Sequence, residues 1–189
     1  MKTIPSLLIA LRFLIAPLLL ADALDGSASP WFLVGFSVAF LSDIFDGIIA
    51  RRLKISTPQL RQADSWADLS LYGCIAISAL HLYSPLISPF LIPLSSLLFA
   101  QLALFALNLL KYGKMPSYHG YSAKLWGITL GLAIAALFGF GQTGGFFGLA
   151  IAAGWFNTLE EILITLILPQ WSHDIPSFFH ALERVRTRA

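Results

Sequence analysis

The chain has 189 residues, 57% of them hydrophobic and 12% charged, with a formal net charge of +2. Soluble domains carry roughly 25% charged residues, so a second, soluble domain is excluded and residues 1–189 are expected to form one integral-membrane domain. The single cysteine, Cys74, leaves neither a disulfide framework nor a thiolate zinc site, and no nucleic-acid partner is expected.

A helix that spans the hydrocarbon needs about 20 apolar residues, and the apolar runs predict six. The first, over 5–22, is interrupted by Arg12 and ends near Ala21, Asp22 and Ala23. That ending also has the form of a signal-peptide cleavage site, but Arg12 within the apolar run disfavours processing. After a loop over 22–30 comes a second helix over 31–53, then a connection over 54–61 and a third helix over 62–84. A turn over 84–89 leads to a fourth helix over 88–111, and a polar connection over 112–121 to a fifth over 122–140. A glycine-rich stretch over 139–145 precedes the sixth, over 146–168. Phe178, Phe179, Leu182 and Val185 stand among basic residues in the tail, 172–189. A short helix lying on an anionic leaflet is expected there, with a frayed terminus as the alternative.

Lys2, Arg51, Arg52, Lys54, Arg61, Lys111, Lys114, Lys124, Arg184, Arg186 and Arg188 all fall on one side of this arrangement. The three opposite loops contain no Lys or Arg. Because positive residues near span ends stay cytoplasmic, the expected fold is all-α: a polytopic membrane bundle of six transmembrane helices with both termini cytoplasmic. Trp31, Trp126, Trp155 and Trp171 lie near span ends, where amphipathic rings favour the interface.

Four carboxylates interrupt the apolar pattern. Asp43, Asp46, Gly47 and Ala50 share one face of the second helix through spacings of three, four and seven, and Asp64 and Asp68, four apart, share a face of the third. If the short connection makes these helices antiparallel neighbours, the four carboxylates meet at a common depth. Isolated, they would cost roughly 10 kcal/mol at about 2.5 to 3.5 kcal/mol each. A divalent cation with hard oxygen ligands relieves both that cost and their mutual repulsion. Magnesium, manganese or calcium suits four carboxylates; zinc and copper, which favour nitrogen or sulfur, do not. The competing expectation is pairing with Arg51, Arg52, Lys54 and Arg61 at a hydrated interface. A proton or cation pathway is a third use of such groups, although carboxylates near one surface suit an open site better than a conduit.

The run Asp43-Ile-Phe-Asp46-Gly47-Ile-Ile-Ala50-Arg51, followed by Asp64 and Asp68, resembles the signature of the CDP-alcohol phosphotransferases, D-x2-D-G-x2-A-R-x8-G-x3-D-x3-D. Leu60 stands where that pattern has glycine, and Leu69 where many members have lysine. The opening from Ile4 and Pro5 to Pro17, with Arg12, is similar to the family's first helix. The resemblance implies a transferase that moves a phosphatidyl group from CDP-diacylglycerol to a small alcohol and releases CMP, with Mg2+ or Mn2+ as cofactor. It implies Asp43, Asp46, Asp64 and Asp68 at the metal, with Asp68 also the catalytic base. Asp46, Gly47, Ala50 and Arg51 would hold the nucleotide. It further implies a homodimer in the membrane with its active site facing the cytoplasm. An ion-coupled carrier using the same Asp cluster, or an inactive family member, is the alternative.

Arg12, Arg61, Lys111 and Lys124 form a basic set suited to an acceptor that itself carries phosphate, such as glycerol 3-phosphate. Serine and phosphatidylglycerol are the alternative acceptors. Arg12 lies deeper than an anchor requires and is expected to face a phosphate or a carboxylate. Glu160 and Glu161, within the sixth span, are expected either to pair with Lys124 or Arg12 or to contact the acceptor. His81, His119, His173 and His180 share no metal-ligand spacing.

Overall fold

The computed structural model describes residues 4–52 and 57–187, without the side chains of Ala50, Arg51, Pro58 and Arg61. Lys2, Lys54 and Arg188, used above to orient the spans, lie outside the described residues. The described chain is helical and contains no strand: α1 Ile4–Leu24, α2 Pro30–Arg52, α3 Pro58–Ile87, a 3-10 turn Ser88–Phe90, α4 Leu91–Tyr112, α5 Tyr121–Phe140, α6 Gly144–Ile167 and α7 Phe178–Arg186.

The buried residues of α1 are Pro5, Ile9, Arg12, Ala16, Leu19 and Ala23. Alternate steps of four and three put them on one stripe, which packs against α2 and α3. The other faces expose Leu7, Leu14 and Leu18. A helix in water would carry polar residues there, so these leucines face acyl chains. The helix runs unbroken through Ala21, Asp22 and Ala23.

The break predicted near residue 84 falls at Tyr83, where two helical segments of α3 meet across a kink. α3 continues to Ile87, with a non-helical Tyr83 (φ −123°, ψ 25°) two residues before Pro85. Proline lacks the N–H that would bond the carbonyl of His81, and its ring crowds that carbonyl, so the long segment ends at the kink and a short second one carries the chain to Ile87. The 3-10 turn then leads into α4. Among the described residues, five stretches are long and apolar enough to cross a membrane, and one of them, Gln62–Tyr112, covers 51 residues. It is divided by the kink at Tyr83 and by the 3-10 turn Ser88–Phe90, and α4 by itself has the roughly 20 residues that one crossing needs.

The chain divides into two compact units. The first comprises Met1–Ile87 and Ala135–Gln142. In it, Phe138, from the end of α5, stacks on Phe32 with ring centroids 4.0 Å apart and meets Tyr83 edge-on at 5.4 Å.

The second unit comprises Ser88–Ile134 and Thr143–Ala189. α4 ends where Gly113 adopts a left-handed backbone (φ 66°), its N–H bonding the Leu109 carbonyl at 2.8 Å. Gly154 of α6 permits a close approach, since a Cβ there would stand 2.7 Å from Leu97 and 2.8 Å from the Trp126 ring nitrogen. Buried polar groups in this unit satisfy one another. Asn108 donates to the Thr165 hydroxyl at 3.0 Å and to the Leu104 carbonyl at 3.1 Å, and the Tyr118 hydroxyl bonds both Asn108 and Thr165. Burial pushes the Tyr118 phenol up to about 12, so it stays a donor.

The carbonyls that end α6 also find partners. Lys111 Nζ donates to those of Thr165 and Leu166 at 2.7 and 2.8 Å, and the Tyr112 hydroxyl bonds those of Thr165 and Leu168. The tail is helical, not frayed, over Phe178–Arg186. Its cluster of Ile175 and Ala181 with Tyr118, Ile164 and Leu168 buries one face, and the Tyr121 N–H bonds the Pro176 carbonyl at 2.9 Å.

Candidate active site

In α2, Asp43 and Asp46 follow the buried Phe32, Phe36 and Ala39 at the next helical steps. In α3, Asp64 and Asp68 continue the stripe of Ala67, Leu71 and Ile75. The faces that pack these helices on α1 therefore end in carboxylates, and the residue that α1 presents to them is Arg12.

The guanidinium of Arg12 joins all four. Nη1 donates to Asp43 at 3.0 Å and to Asp68; Nη2 donates to Asp64 at 2.6 Å and to Asp46. Nη1 thus serves one carboxylate from each helix, and Nη2 does the same. The two pairs differ in access: the side chains of Asp43 and Asp68 are 36% and 33% exposed, those of Asp46 and Asp64 only 5% and 10%, and Arg12 not at all. The site has a closed floor and an open rim. Arg12 Nε is buried without a hydrogen-bond partner among the described residues.

Carboxylate oxygens of Asp43, Asp64 and Asp68 lie within 4.8 Å of one another. These are hard donors with no histidine or cysteine among them, which suits magnesium, manganese or calcium. Among the described side chains, one guanidinium faces four carboxylates. A divalent cation fits both the donor set and the remaining negative charge.

Gly47 follows Asp46 in α2 and is half-buried; Ala50 and Arg51 stand in the last turn of α2, and Arg61 near the start of α3, with side chains outside the described ones. Arg52, one of the expected carboxylate partners, is exposed. Leu60 lies in the first turn of α3, where its N–H donates to Thr57 Oγ1 at 3.2 Å. Thr57 is the N-cap and Pro58 the first helical residue. Position 60 is ordinary helix and makes no use of glycine's conformational freedom.

Lys111 and Lys124 belong to the second unit. Lys111 caps α6 as described, and Lys124 Nζ lies 5.2 Å from the centroid of the Tyr121 ring. Glu160 accepts a 3.0 Å hydrogen bond from the Phe178 N–H, satisfying one of the open donors at the start of α7. No ion pair of Glu160 or Glu161 is found among the described residues. His119 bonds Ser117, His173 bonds Asp174 and His180 bonds Ser177, so these histidines have local partners.

Sequence spacing brought the four aspartates together but did not put Arg12 at their centre. The signal was present: Arg12 occupies a regular place in the four-and-three stripe of α1, between Ile9 and Ala16, and a charge on a packing stripe must meet charge. The capping roles of Lys111 and Glu160 left no such signal, because their partners are backbone groups at helix ends.

Long apolar helices with lipid-facing leucines, and carboxylates gathered inside them from two neighbouring helices, mark an integral-membrane protein with a charged site. Residues 2–166 match the family model of the CDP-alcohol phosphatidyltransferases, and the chain belongs to that family. Its members are transferases of phospholipid biosynthesis that use CDP-alcohol donors, alcohol acceptors and a divalent metal. No curated protein and no solved structure matches the chain.

Proposed function

We propose that this chain transfers a phosphatidyl group from CDP-diacylglycerol to a small alcohol, with glycerol 3-phosphate the favoured acceptor, releasing CMP with Mg2+ or Mn2+ bound. The observation that carries this reading is the convergence of four carboxylates from α2 and α3 on one point that is open on one side. Asp43, Asp46, Asp64 and Asp68 would hold the metal, which when bound neutralises charge on the transferring phosphate and the departing CMP.

Asp68, on the exposed rim, accepts the proton of the acceptor hydroxyl as general base. The acceptor oxygen then bonds to the lipid-bearing phosphorus, and the bond from that phosphorus to the CMP oxygen breaks. Asp46, Gly47, Ala50 and Arg51 form the nucleotide side: the small residues leave room beside α2, and Arg51 holds a phosphate of the diphosphate. Arg12, Arg61, Lys111 and Lys124 are the cations proposed for the acceptor's phosphate, although Arg12 joins them only by leaving carboxylate partners and Lys111 only by leaving its α6 carbonyls.

The same reading takes the chain as one membrane domain that works as a homodimer. It has six spans, because Gln62–Tyr112 is long enough to cross twice, and its termini and active site face the cytoplasm, in keeping with the one-sided Lys and Arg. Purified protein in detergent, given CDP-diacylglycerol, Mg2+ and in turn glycerol 3-phosphate, serine and phosphatidylglycerol, is expected to release CMP fastest with glycerol 3-phosphate. Faster release with another acceptor replaces that substrate. No CMP with any acceptor leaves the carrier or the inactive family member.

A further inference from the structure

Arg12 on α1 takes no part in the proton transfer or the bond exchange at phosphorus, yet no described side chain in the first unit has more ionic partners. Its place is set by packing, since Ile9 and Ala16 on either side hold that stripe of α1 against α2 and α3. A guanidinium has five N–H donors in a rigid fork. The four on Nη1 and Nη2 are matched by four carboxylates, two from each helix. The fifth, on Nε, is buried and has no partner among the described residues. A guanidinium placed by hydrogen bonding alone would not leave that donor stranded; one placed by charge, at the point that all four carboxylates share, would.

We propose that Arg12 is the internal counter-ion of this site: it gathers the carboxylates of α2 and α3 before a divalent cation arrives, and competes with the cation for them. The proposal rests on the reading of this cluster as a divalent-metal site. One positive charge cannot neutralise four negative ones, so the cluster keeps its attraction for a cation. A cation and a guanidinium sharing the same oxygens repel each other, so Arg12 yields part of its grip as the cation binds. The pair it gives up is Asp43 and Asp68, because they form the exposed rim and are reached first from outside. Nη2 stays on the buried floor. Arg12 is therefore a positioning residue that holds the site assembled when cation is scarce and raises the cation concentration at which the site fills.

The test uses cation binding and thermal unfolding of the full chain in detergent, compared for wild type, Arg12→Gln and Arg12→Lys. Free Mn2+ is followed by electron paramagnetic resonance, and unfolding is measured in EDTA and in Mn2+. Loss of the counter-ion leaves four carboxylates repelling one another. Arg12→Gln is thus expected to unfold at a lower temperature than wild type in EDTA, to recover in Mn2+, and to bind Mn2+ at least tenfold more tightly. Arg12→Lys keeps one charge but cannot fork to four partners, and is expected to fall between the two.

A folded Arg12→Gln that binds Mn2+ no more tightly than wild type overturns the proposal while leaving the metal site standing. Absence of Mn2+ binding in wild type overturns both. If Arg12→Gln folds in neither condition, Arg12→Lys decides: tighter Mn2+ binding than wild type supports the counter-ion, and equal or weaker binding overturns it.

Discussion

The two units bury polar groups by opposite rules. Around Asn108, Tyr118 and Thr165 in the second unit, neutral groups complete one another's hydrogen bonds, and Lys111 reaches carbonyls at a helix end. In the first unit four carboxylates crowd one guanidinium, two of them open to the outside and one guanidinium nitrogen stranded. A satisfied neutral network fixes a shape, whereas a charged cluster with negative charge in excess is costly until something positive binds. The contrast separates scaffold from site without reference to any motif.

The strongest way to sharpen that contrast is to neutralise one carboxylate. Asp68→Asn is expected to lower CMP release by about 10^2 to 10^4-fold, the range for loss of a general base, with binding of a CDP-nucleotide still measurable by calorimetry. Undiminished turnover would remove Asp68 as the base. In the second unit the expected pattern is the reverse. Thr165→Val keeps shape but takes a partner from Asn108 and Tyr118, costing about 1 to 3 kcal/mol of stability. Thermal unfolding should show the loss while turnover per folded molecule holds; a fall in turnover with unchanged stability would blur the division. Smallest is Leu60→Gly. It restores the family's residue in a helical turn, where glycine costs about 1 kcal/mol or less, so turnover should be kept or raised. Failure to fold would show that leucine is required there.

Helices α1 to α6 were legible because lipid demands long apolar runs and the punctuation between them is polar. The interruption at 84–89 was legible from its prolines: Pro85 removes one helical hydrogen bond, which breaks α3 at Tyr83, and only the short helical turn that follows to Ile87 was not foreseen. The docking of the tail was hidden because it hangs on Tyr118, carried by a connection in which His119 takes a left-handed backbone that its sequence does not announce. The carboxylate pairs were legible from helical spacing alone. Arg12 was legible as a charge that must meet charge, but not as the partner of these four, since spacing within α1 says which residues share a face but not which helices that face meets.

The most direct test is the Mg2+ dependence of CMP release from CDP-diacylglycerol in wild type and in Asp64→Asn, whose carboxylate comes from the buried floor. Wild type should be silent in EDTA and restored by Mg2+ to a saturating rate, and the variant should stay silent or need far more Mg2+. Equal rates in EDTA and Mg2+, or a variant indistinguishable from wild type, would contradict the account.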